Sequence, residues 1–185
     1  MQKPQLETSK LRLLLVDDEV VIREILAAML EDLPLEIIEA SDGAEAWEIF
    51  QKEKIDIIVT DIRMPKMDGL MLAEKIISKD FFVPVIVTTA FDDKDHILRA
   101  LKIGVHDFIT KPIVQEFFVD RVKRAMDKRN LQLSQLKVIE MLHELLEIPN
   151  ENEVHKMNLN ECLEYIQELV AVFTIKKERK SERNS

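Results

Sequence analysis

One cysteine, Cys162, stands in a chain of 185 residues, so no internal disulfide can staple the fold. Glycine is nearly as scarce at three residues and proline is limited to six, which leaves few helix breakers and excludes a turn-rich composition. Long apolar runs are missing. Towards the N-terminus the chain offers Leu11–Val16, too short for a secretory leader and far short of the ~20 residues that cross a bilayer. Excess basic charge is missing too: the net charge of −9 divides as −6 over residues 1–130 (19 basic, 25 acidic) and −3 over residues 131–185 (7 basic, 10 acidic). Neither part has the positive footprint of a nucleic-acid binder, and the locally basic tail from Lys176 reads as a solvated end. The expectation is a cytoplasmic protein that engages neither membrane nor nucleic acid.

What is present is the balance of a folded chain, 46% hydrophobic and 33% charged. From Leu11 to Arg129 short aliphatic runs alternate with longer amphipathic stretches, the pattern of repeated strand–helix units around a parallel sheet. Strands are predicted at Leu11–Val16, Glu36–Ala40, Ile55–Thr60, Val85–Thr89 and Asp107–Thr110. Helices are predicted near Val20–Leu33, Gly43–Lys52, Leu70–Ser78 and Lys94–Ile103, the last closed by Gly104 in a left-handed cap. Beyond Pro112 nothing interrupts a helix until Pro149, about 35 residues on, so this helix is predicted to leave its domain. Leu131, Val138, Leu142 and Leu145 form one seam, with a polar gap at Gln135; Leu159, Leu163, Ile166, Val170 and Phe173 form another beyond a polar linker at 150–158. The chain thus divides into an α/β domain over residues 10–129, a coiled-coil or helical-hairpin extension over 130–175, and a basic tail over 176–185.

Four aliphatic runs end on polar signals: Val16-Asp17-Asp18, Asp61 within Val-Thr-Asp-Ile-Arg-Met-Pro, Thr89-Ala90, and Lys111-Pro112. The carboxyl ends of parallel strands share one crevice, so three carboxylates, a hydroxyl and an ammonium are predicted to converge there. Magnesium, a hard ion content with one or two carboxylates and several waters, suits such a set.

Together and in this order the residues resemble the receiver domain of bacterial two-component response regulators, over roughly residues 10 to 128. The resemblance implies a flavodoxin-like, doubly wound (βα)5 fold whose five-stranded parallel sheet has the order 2-1-3-4-5. It also implies that Asp61 accepts a phosphoryl group from a sensor histidine kinase in a Mg2+-dependent reaction. Asp18 and Asp61 would be direct metal ligands, Asp17 would act through a metal-bound water, and the backbone carbonyl of Arg63 would complete the protein ligands. Lys111 would pair with the carboxylate and then with phosphate, its loop held by a cis bond to Pro112. Thr89 would donate its hydroxyl to phosphate, with Thr88 as the rival, and Phe108 would be an aromatic switch that turns inward with Thr89. Arg63 and Phe91 would shield the acyl phosphate from water. The protein is then a phospho-accepting switch and not a metabolic enzyme, with a downstream protein partner addressed by the extension and a homodimer as its assembly.

Blander readings exist for several positions. Asp42-Gly43 and Asp68-Gly69 read as turns, and Phe108 also fits a core position. His143-Glu144-Leu145 is faintly similar to the phospho-histidine region of sensor kinases, but the match breaks at Leu146-Glu147, leaving an exposed helical histidine. His96, His106 and His155 lack metal-site spacing. Two rival functions compete. An aspartyl-nucleophile phosphatase of the haloacid-dehalogenase style needs an Asp-x-Asp pattern that Asp17-Asp18-Glu19 lacks. A vestigial receiver serving as a structural dimerisation adaptor would not bind magnesium.

Overall fold

The computed structural model describes residues 10–90, 94–146, 161 and 163–172. The chain runs β1 (Leu11–Val16), α1 (Val20–Met29), β2 (Leu35–Ala40), α2 (Gly43–Lys52), β3 (Ile57–Asp61), α3 (Gly69–Lys79), β4 (Val85–Ala90), α4 (Lys94–Ile103), β5 (Asp107–Lys111) and α5 (Gln115–Leu146). Residues 163–172 form a further helix, α6. The strands make one parallel sheet in the order β2-β1-β3-β4-β5. The fold is the flavodoxin-like α/β sandwich anticipated above. The first helix ends four residues before Leu33, because the chain turns through Leu30 and Leu33 ahead of Pro34 to enter β2. Gly104 has φ 86°, the left-handed cap expected after α4.

Strand side chains alternate between the faces of the sheet, and both faces are covered. On one face Leu14, Val16, Ile58, Val85 and Val87 pack with Leu70, Leu72, Ala73 and Ile76 of α3, Ala46 of α2 and Ala100 of α4. On the other Leu13, Leu15, Ile57, Val59, Ile86 and Ile109 pack with Leu26 of α1 and Phe118, Val122 and Ala125 of α5. Each such fully buried aliphatic side chain contributes roughly 1.5–3 kcal/mol of transfer free energy.

Helix α5 differs most from its sequence reading. Its buried positions Phe118, Val122, Ala125, Arg129, Gln132, Ile139 and His143, with half-buried Leu136, step by four and three without a break. One stripe therefore runs from the sheet into the extension, and the boundary drawn at residues 129 and 130 falls inside it. The predicted seam is displaced from this stripe, for Leu131 and Val138 are exposed. The true face carries Arg129, Gln132 and His143, whose polarity conceals it from hydrophobic periodicity. Leu136 and Ile139 meet Tyr165, Ile166 and Leu169 of α6 together with Phe82 from the turn before β4. His143 is buried, not exposed: its Nε2 lies 2.6 Å from the Tyr165 hydroxyl, with the rings edge to face. The extension is thus a helical pair seated on its own α/β domain through Phe82. Of the second predicted seam, Leu163 and Val170 are exposed, and Ile166 packs within the chain. The side chains of Leu142 and Leu145, together with Leu159, Cys162 and Phe173, lie outside the described residues.

Candidate phospho-acceptor site

Alternation decides which side chains meet at the carboxyl edge of the sheet. Asp17 follows the parity of Leu13 and Leu15, Asp61 that of Ile57 and Val59, Thr88 that of Ile86, and Lys111 that of Ile109, all on the α1 and α5 face. Thr89 has the parity of Val85 and Val87 on the opposite face, where Phe108 packs half-buried.

The geometry follows this division. Lys111 Nζ lies 2.7 Å from Asp61 Oδ1 and 3.3 Å from Asp17 Oδ2, and the peptide bond from Lys111 to Pro112 is cis, as the resemblance implied. Asp61 Oδ1 also accepts the Thr88 hydroxyl at 3.0 Å, while Oδ2 accepts the Arg63 backbone N–H at 2.9 Å. The Thr89 hydroxyl instead faces its neighbour's carbonyl, Ala90 O, at 3.5 Å. Asp17 and Asp61 are buried, at 1% and 7% exposure, whereas Asp18 is exposed. Burial pushes the Asp17 carboxyl above its ordinary range, and the nearby Asp61 charge adds to the rise, while the Glu19 N–H and Lys111 only partly oppose it. For Lys111, burial alone would lower the ammonium, but hydrogen bonding to Asp61 and attraction to both carboxylates leave it above its ordinary value.

The expected convergence of three carboxylates is incomplete: among the described residues no three acidic, imidazole or thiol groups form a metal cage. Asp18 faces solvent, and Lys111 occupies the space between Asp17 and Asp61. Magnesium requires only one or two carboxylates and keeps its waters, so buried, mutually repelling Asp17 and Asp61 with Asp18 on the same loop form a donor set that fits it. Arg63 is exposed, and Phe91 lies outside the described residues.

Supports that the sequence reading missed hold both acidic loops. Arg23 of α1 donates from Nη1 to the Asp17 carbonyl at 2.7 Å and pairs through Nε with Glu39 at 2.9 Å. Asp42, read as a turn residue, caps α2 by accepting from the Ala44 and Glu45 N–H groups, and its other oxygen pairs with Lys66 at 2.5 Å. Lys66 has φ 63°, a conformation that costs a non-glycine residue energy, and its pair with Asp42 ties the loop after Asp61 to the start of α2. Asp68 caps α3. Gly69 is required by close approach, since a Cβ there would sit 2.0 Å from the Asp61 carbonyl oxygen. The local signal for both caps was Asp followed by Gly at the start of an apolar helix.

Residues 13–123 match the model of the response regulator receiver domain. The chain belongs to the response regulator receiver family. A "Probable transcriptional regulator ycf27" from Guillardia theta is 37% identical over 125 residues, covering 68% of this chain and 48% of the relative. The chain therefore spans about half the length of that relative. "Chemotaxis protein CheY" from Listeria monocytogenes is 38% identical over 119 residues, covering 64% of this chain and 97% of that protein. Among solved structures, a response regulator receiver domain protein from Clostridium thermocellum superimposes with a TM-score of 0.62 at 28% identity, over 65% of this chain and 98% of its own. The likeness to CheY and to the Clostridium protein reaches about two thirds of the chain and nearly the whole of each.

Proposed function

We propose that this receiver accepts a phosphoryl group on Asp61 from a sensor histidine kinase and passes the change to a downstream protein. The observation that carries the reading is the triad of Asp61, Asp17 and Lys111 at the carboxyl edge of the sheet, with the Lys111 cation 2.7 Å from the acceptor carboxylate. Asp61 would act as nucleophile, its carboxylate oriented by Lys111, Thr88 and the Arg63 N–H. Lys111 would follow the charge from the carboxylate onto the phosphoryl oxygens. Receiver domains use Mg2+ at the acidic pocket. Here Asp17, Asp18, Asp61 and the Arg63 carbonyl would hold it, and the ion supplies charge neutralisation of the transferring oxygens. Such a protein is a switch with self-catalysed phosphotransfer, not a metabolic enzyme.

Thr89 and Phe108 share the face opposite Thr88. On this reading Thr89 turns to the phosphoryl group and Phe108 follows it inward, altering the surface of α4, β5 and α5. The extension would act through protein contacts. The described parts of α5 and α6 beyond Leu131 carry Lys137 against Glu140, Glu144, Glu161, Glu164 and Glu168, an acidic surface ill suited to a phosphate backbone. Exposed Leu131 and Val138 on α5, and Leu163 and Val170 on α6, repeat at heptad spacing and fit a homodimer in the cytoplasm.

The test is intact-mass analysis after incubation with acetyl phosphate and magnesium. One added phosphoryl group is expected in the parent and none in Asp61→Ala; equal labelling of the two would remove Asp61 from the role.

A further inference from the structure

We infer that Thr88 is a second functional hydroxyl of this site, one that favours the unphosphorylated carboxylate and so shortens the life of the phosphorylated state. The inference rests on the reading of Asp61 as phospho-acceptor. Thr88 is the direct lateral neighbour of Asp61 in the β3–β4 register, and the Thr88 carbonyl accepts the Ile62 N–H at 3.1 Å. The backbone therefore fixes the hydroxyl beside the carboxylate instead of leaving it to a mobile loop. Thr88 is 1% exposed, so water does not compete for its hydrogen bond, and the acceptor is Asp61 Oδ1 at 3.0 Å. Lys111 shares that oxygen. Oδ2 accepts the Arg63 N–H.

The chemistry gives the effect its sign. In phosphorylation a carboxylate oxygen of Asp61 bonds to phosphorus while the donor's bond to phosphorus breaks, its electron pair leaving with the donor. In hydrolysis the oxygen of a water bonds to phosphorus, the bond from phosphorus to Asp61 breaks with its electron pair returning to the carboxylate, and a water proton passes to solvent or the released phosphate. Full negative charge lies on Asp61 only in the unphosphorylated state, and it develops again as the bond to phosphorus breaks. A hydrogen bond to a charged acceptor is about twice as strong as one to a neutral carbonyl. Thr88 therefore stabilises the departing carboxylate more than the acyl phosphate, lowering the barrier to loss of the phosphoryl group. Lys111 can follow the charge onto the phosphoryl oxygens, but Thr88, anchored in β4, stays with the carboxylate.

The experiment uses the full chain, phosphorylated with acetyl phosphate and magnesium, freed of donor and followed by intact mass. Thr88→Val, nearly the same shape without the hydroxyl, is expected to lose its phosphoryl group about fivefold more slowly than the parent, and Thr88→Ala likewise. Thr88→Ser restores the hydroxyl and should decay at the parent's rate, an outcome a packing role would not produce. Parent-like decay of both Val and Ala variants, or slow decay of the Ser variant, would overturn the assignment of Thr88 while leaving Asp61 in place. A parent that takes no label on Asp61 would overturn both readings.

Discussion

Arg129 of α5 and Asp56, just ahead of β3, form an ion pair at 3.3 Å between Nε and Oδ1, with both residues buried. Asp56 also accepts the Arg12 N–H at 3.0 Å, so β1, the approach to β3 and α5 meet at one carboxylate. The pair lies where the buried stripe of α5 passes from the sheet to the extension. Leaving a buried charge without its partner costs roughly 3–5 kcal/mol. Chemical denaturation of Asp56→Ala should show a loss of that order, with a smaller loss when Asp56→Leu and Arg129→Met are combined. A combined loss as large as the single one would mean that the pair is not what holds α5 there.

Asp17 is expected to cost stability in return for its role in the site. Its carboxyl is raised by burial and then by the Asp61 charge. The cost is present above its folded pKa and vanishes below the ordinary value of 3.8. In metal-free protein at neutral pH, Asp17→Asn should raise the melting temperature by about 2–5 °C. Magnesium should raise the melting temperature of the parent, and by less in this variant. A fall in the metal-free melting temperature would count against the repulsion.

For Asp42 the sign is opposite. Hydrogen bonding to Lys66, then to the Glu45 and Ala44 N–H groups, holds its carboxyl below the ordinary value of 3.8. Its contribution is therefore complete above that value and is lost as the pH falls through the lower, folded pKa. Asp42→Asn keeps a capping oxygen but not the charge, so it should be less stable than the parent at pH 7, and the gap should close on acidification. Urea midpoints measured from pH 7 to pH 2 would show it; a constant gap would assign the loss to the cap alone.

The exposed heptad stripes make a distinct prediction for assembly. Leu131→Asp with Leu163→Asp should lower the scattering-derived molar mass from dimer towards monomer and leave the melting temperature within about 2 °C, since surface changes rarely exceed ~0.5 kcal/mol. Leu169→Asp, which strikes the cluster of Phe82 and Ile139, should instead loosen α6 from its own chain. A monomeric parent at every concentration would retire the dimer.

Much of this was legible along the chain. Aliphatic runs closed by Asp17, Asp61 and Lys111, separated by amphipathic segments, determined a parallel α/β sheet and its acidic edge, because strand burial and strand-end polarity are local signals. Period two, applied to Ile86 and Ile109, would also have placed Thr88 with Lys111 on the face of Asp61. Adjacency in a motif instead favoured Thr89. Only the tertiary structure decided that Thr88 touches the Asp61 carboxylate, that Asp18 faces outward, and that α5 buries Arg129, Gln132 and His143 instead of Leu131 and Val138. The reason is physical. Local patterns report how apolar a residue is, whereas the partners of buried Arg129 and of His143 Nε2, Asp56 and Tyr165 at separations of 73 and 22 residues, are supplied by the fold.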